Sequence, residues 1–138
     1  MKKIILLFSI FFLWSFPLSG VVYAGLRPLT KNEAVDALQD KTFLAHSLKE
    51  QYNYRIYYSR DGLFTLYYPT STMTAVIVYG KWSVDDEGKY CLHRKIHKHK
   101  FADCGRIYQN GNILYLYNKG ELKVTLEFIG NGNLLKNK

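Results

Sequence analysis

Short segments of alternating apolar and polar residues, separated by tight-turn signals, constrain this chain more than any other feature. Tyr54, Ile56 and Tyr58 alternate with more polar neighbours, and the same period of two returns in Phe64, Leu66 and Tyr68. That period is typical of half-buried strands. Four stretches supply the positive backbone dihedrals that hairpin turns need: Asp61-Gly62, Asp85-Asp86-Glu87-Gly88, Asn110-Gly111 and Asn118-Lys119-Gly120. The sequence therefore predicts consecutive antiparallel hairpins.

The turns divide the chain into about eight predicted antiparallel strands, and the fold class is mainly β. The predicted strands span residues 42–47, 52–59, 63–68, 74–84, 89–94, 103–109, 112–118 and 121–129. A meander of this kind is compatible with a strongly bent sheet, a flattened sandwich or a closed up-and-down barrel. The pattern does not choose among these three architectures.

One helix is predicted before the strands. The run Thr30-Lys31-Asn32-Glu33 matches the capping box, in which the threonine oxygen and the glutamate carboxylate each accept a backbone N–H of the first turn. Apolar residues then recur on one side of the following turns: Ala34, Val35, Ala37 and Leu38. We expect a helix of about ten residues that ends near Lys41 and covers one opening or edge of the sheet.

Residues 1–24 have the pattern of a secretory signal peptide. Lys2 and Lys3 precede an apolar run from Ile4 to Phe16, and Val22-Tyr23-Ala24 places small residues before a cleavage site at Gly25. An uncleaved membrane anchor is the alternative, but roughly 20 apolar residues are needed to span a bilayer. Pro17, Ser19 and Gly20 interrupt this run after 13 residues. We therefore expect cleavage and export, to the periplasm or the exterior, with no transmembrane segment left.

Cleavage would leave 114 of the 138 residues, which is enough for one domain over residues 25–130 and a flexible tail over 131–138. With 17 basic and 11 acidic residues, that chain would carry a formal charge of +6. The charge favours an anionic envelope surface or an acidic protein as partner. The sequence contains no recognisable nucleic-acid-binding module, so nucleic acid is not an expected partner. The oligomeric state is left open.

Cys91 and Cys104 are the only two cysteines of the chain. In an oxidising compartment two cysteines favour a disulfide, and a ring of this size is stabilised by roughly 3 kcal/mol in the chain-entropy model. A free reactive thiol is the alternative, but neither cysteine belongs to a C-x-x-C redox motif. The sequence predicts a Cys91–Cys104 disulfide.

The segment between the cysteines is a basic loop in the sequence. It contains His93, Arg94, Lys95, His97, Lys98, His99 and Lys100. The histidine spacing resembles a metal site, but the fixed positive charges disfavour a divalent cation, and only Asp103 is close enough in sequence to compensate. We predict no metal and no cofactor. An anion-binding loop and a solvated hairpin tip remain the two interpretations.

Three sequence runs resemble a known group of proteins. "SRDG", "GKWSVDDEGKYC" and "DCGRIYQNGNILYLY" together resemble small exported bacterial proteins classed as domains of unknown function. The matching positions, within residues 30–129, are Asp61, Gly62, Gly80, Trp82, Val84, Gly88, Cys91 and Cys104. The basic loop is not part of this pattern. The resemblance implies an exported β domain and supplies no catalytic residue.

The residues themselves predict a binding function rather than catalysis. No serine lies in a Gly-x-Ser-x-Gly elbow, and both cysteines are assigned to the disulfide, so an enzyme is the third hypothesis. The first hypothesis is an interaction module of the cell envelope that uses the basic loop. The second is a carrier of a small apolar ligand. Trp82 and Tyr54 are the candidates for ligand stacking, although core packing is the ordinary role of such a tryptophan, here against the disulfide. An aromatic cavity around these two residues would favour the carrier.

Overall fold

The structure, a computed structural model, describes residues 26–70 and 75–135. The predicted signal peptide and the last three residues lie outside the described residues. Within them, one helix precedes eight strands. Their bounds are α1 Lys31–Leu38, β1 Lys41–Ser47, β2 Tyr52–Tyr58, β3 Leu63–Tyr68, β4 Val76–Val84, β5 Lys89–Ile96, β6 His99–Asn110, β7 Ile113–Asn118 and β8 Glu121–Asn131.

The eight strands form a closed antiparallel barrel, in which each strand pairs with the next and β8 returns to β1. The closing pairs run from Lys41 opposite Asn131 to Ser47 opposite Val124, with a register shift between Thr42 and Phe43. The predicted mainly β fold is therefore confirmed, and of the three architectures the closed barrel is the one present. Closure removes the exposed strand edges that an open sheet would have to protect.

Alternation along each strand divides the side chains between the barrel lumen and the outer surface. The register places Phe43 opposite Ile56, and Ile56 opposite Leu66, so the inner residues of neighbouring strands lie side by side. These residues are at most 3 % exposed, and they belong to one continuous hydrophobic core. Adjacent residues of a strand face opposite sides, so Tyr58 lies on the inner face and its neighbour Tyr57 on the outer face.

Helix α1 covers one end of the barrel. Ala34 and Leu38 are fully buried and belong to the barrel core. The predicted capping box is present, since Glu33 N–H donates to Thr30 Oγ1 and Thr30 N–H donates to the Glu33 carboxylate. The preceding segment is also attached, because Leu29 N–H donates to Ile107 O over 2.7 Å. The helix therefore closes the end at which β1 begins.

The helix is shorter than predicted. It ends at Leu38 because Gln39 is extended, with ψ 136°, and Asp40 then adopts a left-handed conformation with φ 56° that turns the chain into β1. Asp40 N–H donates to Tyr58 O over 2.7 Å, which fixes this turn against β2. The apolar periodicity itself stops at Leu38, and pairing with the sheet starts at Lys41, the predicted end of the helix.

The end of β8 also differs from the prediction. The sequence predicts a flexible tail over residues 131–138, whereas β8 extends to Asn131 and residues 132–135 pack on the closed end. Thr42 Oγ1 donates to Gly132 O over 2.6 Å and accepts from Leu134 N–H over 3.0 Å. Leu135 is only 5 % exposed. A buried leucine and a double hydrogen bond to one threonine hold this segment, a long-range contact that composition does not reveal.

Two glycines of the resemblance pattern have a structural reason. At Gly80 a Cβ atom would collide with the ring of Phe64 and with the carbonyl of His93, so only glycine lets these groups approach. Gly88 has φ 78°, and a Cβ there would lie 2.6 Å from Leu29 O. Gly80 therefore permits close packing inside the barrel, and Gly88 permits close packing of the β4–β5 turn against the segment before α1.

Candidate functional site

A cavity of about 370 Å³ occupies the barrel lumen toward the end opposite α1. Its wall is mainly aromatic and aliphatic, and polar side chains surround its mouth. The wall residues include Tyr54, Tyr58, Phe64, Leu66, Tyr68, Tyr90, Leu92, Leu116, Val124 and Leu126; the charged residues are Lys49, Glu50, Arg94, Asp103 and Lys123. The arrangement suits a ligand with an apolar body and one polar end.

Tyr54, Tyr58, Tyr68 and Tyr90 add uncharged polar atoms to the cavity wall. The hydroxyls of Tyr58 and Tyr90 are hydrogen-bonded to each other at 2.7 Å, and the rings of Tyr54 and Tyr68 lie 5.1 Å apart. Burial raises the pKa of Tyr54, Tyr58 and Tyr90 well above the ordinary range of a phenol. The hydroxyls therefore stay protonated at neutral pH and act as neutral hydrogen-bonding groups.

The structure separates the two predicted stacking residues. Tyr54 lines the cavity, whereas Trp82 is not among its lining residues. The Trp82 indole is 8 % exposed, packs edge-on against Tyr58 with centroids 5.6 Å apart, and donates its N–H to Ser59 O over 3.0 Å. It belongs to the core between the cavity and the closed end.

The prediction that Trp82 packs against the disulfide is wrong. Trp82 lies opposite Leu92 on the inner face, whereas Ser83 lies opposite Cys91 on the outer face. A shift of one residue along a strand changes the face, so the indole and the disulfide lie on opposite sides of the barrel wall.

The disulfide itself joins the two strands of the β5–β6 hairpin. Cys91 and Cys104 are directly opposite in register, and their Sγ atoms lie 2.09 Å apart, at disulfide distance. No other cysteine exists in the chain. The bond lies near the base of the projecting part of the hairpin.

The projecting part of the β5–β6 hairpin, residues 95–100, forms an arm. Pairing of β5 with β4 stops at Arg94, and pairing of β6 with β7 starts at Arg106, so the arm residues pair only with each other. The predicted basic loop is thus mostly strand: β5 runs to Ile96, β6 starts at His99, and His97 with φ 54° makes the turn. Continued cross-strand pairing beyond the barrel explains the longer strands.

The seven predicted basic residues do not form one cluster. The positions of His93, Lys95 and Lys100 place them on the outer face, and Lys95 lies directly opposite Lys100. His97 and Lys98 are exposed in the turn. His99 lies toward the lumen side, with its ring 6.4 Å from that of Phe101. The prediction that Arg94 belongs to the basic loop is wrong. Arg94 lies opposite Gly80 on the inner face and lines the cavity.

Arg94 occupies the cavity mouth with its hydrogen-bonding capacity only partly used. Its Nη2 lies 3.2 Å from Asp103 Oδ2, and its Cζ lies 5.9 Å from the Phe101 ring centroid. Its Nε is buried and has no hydrogen-bond partner within the described ranges. Buried polar groups normally have a partner, so this donor is a feature to explain.

Sequence reasoning missed most of the cavity wall. Tyr58, Tyr90 and Asp103 were not named as site residues, although alternation placed the tyrosines on one face of their strands. The missing information was closure of the sheet, since only a closed barrel turns the inner face into a cavity.

Among residues 26–70 and 75–135, no group of three His, Cys, Asp or Glu side chains is placed to hold a metal ion. No helix of the same ranges is long and apolar enough to cross a membrane.

The fold and the cavity define an eight-stranded antiparallel barrel with one helix-capped end and one open, aromatic-lined lumen. Comparison with protein-family models, with curated proteins and with solved structures gives no match for this chain.

Proposed function

We propose that this protein is an exported binding protein that holds one small, largely apolar ligand in the barrel lumen. The observation that carries the proposal is the aromatic-lined cavity of about 370 Å³. Ligand cavities typically measure about 300–1,000 Å³, so this cavity suits a small molecule. An eight-stranded barrel is also just wide enough to hold one such ligand.

Export is the second component of the proposal. The disulfide-distance pair Cys91 and Cys104 supports an oxidising compartment, where such bonds persist. The leader pattern of residues 1–24 and the resemblance to small exported bacterial proteins point the same way. We propose membership of that group on the residues named above.

Octanol is a suitable probe for the lumen, because it has an eight-carbon apolar chain and one uncharged polar end. Val124→Trp should lower the affinity for octanol at least tenfold, because Val124 lines the cavity and the indole would fill it. Isothermal titration calorimetry of the chain that begins at Gly25 measures this effect.

Thr125→Trp is the matched control for that experiment. Thr125 is the next residue of β8 and lies opposite Tyr115 on the outer face, so the same indole is added outside the lumen. We expect its octanol affinity to stay within threefold of the parent value. Equal loss in both variants, or no octanol binding by the parent, would contradict the lumen as the binding site.

The arm supports a second candidate function, contact with an anionic surface. Lys95 and Lys100 are directly opposite each other, and like charges in this position repel. A bound anion would relieve the repulsion. Lys98 is exposed in the adjacent turn, so three lysines lie together at the free end of the hairpin.

Changing Lys95, Lys98 and Lys100 to serine should weaken binding to phosphatidylglycerol vesicles about 100-fold at low salt, given roughly 1 kcal/mol per lysine near an anionic surface. Vesicle co-sedimentation measures the change. A control that replaces the exposed Lys81, Lys89 and Lys119 by serine removes the same charge elsewhere. If both variants lose binding equally, overall charge rather than the arm is responsible, and this candidate function is rejected.

A further inference from the structure

The unsatisfied Nε of Arg94 points to a specific kind of ligand. A guanidinium presents Nε and Nη donors in a planar fork that matches the two oxygens of a carboxylate. Asp103 contacts Nη2 and is itself largely exposed, with 67 % of its side chain accessible. Nε, buried beside the lumen, lacks an acceptor among the described residues. Nε is therefore the donor of Arg94 that the described residues leave without an acceptor.

The charges around the mouth favour a single negative charge on the ligand. The cavity is lined by three cationic side chains, Lys49, Arg94 and Lys123, and by two acidic ones, Glu50 and Asp103. Their formal sum is +1, and it falls to zero when Glu121, which is ion-paired with Lys123, is included, so the mouth suits at most a singly charged anion. A phosphate dianion would bring a second negative charge, and Asp103 would repel it more strongly than it would repel a monocarboxylate.

Besides Asp103, Arg94 contacts the hydroxyl of Tyr68 through a side-chain hydrogen bond, and its remaining neighbours are apolar. The register places Arg94 directly opposite Phe101, whose side chain is 44 % exposed, and the guanidinium lies over that ring. Leu92, two residues nearer the closed end on β5, lies deeper in the same cavity. A ligand with its carboxylate on Arg94 would thus extend an apolar chain into the lumen and contact Phe101 at the mouth.

We propose that the barrel selects small amphipathic monocarboxylates, with Arg94 binding the carboxylate and the aromatic lumen binding the apolar chain. This inference rests on the proposed function, because it assumes that the lumen is a binding site. It adds the ligand class and names Arg94 as the residue that determines specificity.

Octanoate and octanol, which share an eight-carbon chain, separate recognition of the head group from binding of the chain. By calorimetry at pH 7.5, the parent should bind octanoate about 10- to 100-fold more tightly than octanol, the usual range for hydrogen bonds to a charged group. Arg94→Gln should remove that preference, so that this variant binds the two probes with affinities within threefold of each other. Asp103→Asn should increase octanoate affinity, because the competing carboxylate is removed from the fork.

Lys95→Gln is the control for charge, since Lys95 is adjacent in sequence but lies on the outer face. It should keep the octanoate preference. Arg94→Lys retains the charge without the planar fork and should retain only part of the preference. Should the Arg94 variants fail to fold, the comparison of the two probes on the parent still decides the inference.

The possible failures are distinguishable. If octanol binds and octanoate binds no more tightly, or if Arg94→Gln keeps the preference, the inference is overturned and the lumen remains a binding site. If neither probe binds the parent, the proposed function fails and the inference fails with it.

Discussion

Replacing Trp82 with alanine is expected to lower the free energy of unfolding by about 3–5 kcal/mol, the usual cost of removing a large buried aromatic side chain. The indole fills the core beside Tyr58, and its N–H has a carbonyl partner in Ser59. Alanine would leave a cavity and remove one of the two hydrogen bonds that Ser59 O accepts, the other being donated by Gly62 N–H. Urea unfolding followed by far-UV circular dichroism measures the difference.

Two further variants make this result specific. Trp82→Phe keeps much of the buried area and loses the hydrogen bond, so it should cost less than the alanine variant. Tyr79→Ala removes an aromatic side chain of the same strand that is 67 % exposed, and it should change stability by no more than about 0.5 kcal/mol. A loss below 1 kcal/mol for Trp82→Ala would contradict the position of Trp82 in the core.

Removal of the disulfide has the second large expected effect. Replacing Cys91 and Cys104 together by serine should lower the free energy of unfolding by about 3 kcal/mol, because the bond closes a loop of this size in the unfolded chain. The separation of 13 residues keeps the loop short. The effect is measured by urea unfolding of the oxidised parent and of the double variant.

Thiol labelling tests the Cys91–Cys104 bond, and intact mass tests whether the leader is removed during export. Protein recovered from the exported fraction is expected to begin at Gly25 and to react with a maleimide reagent only after reduction. Rapid labelling of the native, unreduced protein would exclude the bond. An intact leader on a reduced, cytosolic product would overturn the export proposal.

The sequence predicted the strands well because each hairpin is a local structure. Turn residues such as Asp61-Gly62 and the period of two around Ile56 act over a few residues, and the observed bounds of β2 and β3 lie within one residue of the predictions. The capping box of α1 is equally local. Closure is different, because pairing of β1 with β8 depends on the summed twist and curvature of all eight strands.

Arg94 shows why the candidate site was harder to predict. In the sequence it belongs to a run of basic residues, and proximity suggested one charged cluster. In the barrel, alternation sends Arg94 into the lumen and Lys95 to the outer face. To predict that Arg94 and Lys95 face opposite sides, one must know how β5 pairs with β6. Cys91 lies opposite Cys104 in that pairing, but the sequence alone does not show it.

The most direct measurement of the central claim is an NMR titration of the methyl-labelled protein with octanol. Binding in the lumen should shift the methyl signals of Leu92, Leu116 and Val124, which line the cavity, and leave those of Leu44, Leu63 and Ile77 on the exposed outer face unchanged. Shifts confined to the exposed methyl groups, or no shifts at saturating octanol, would contradict a ligand-binding lumen.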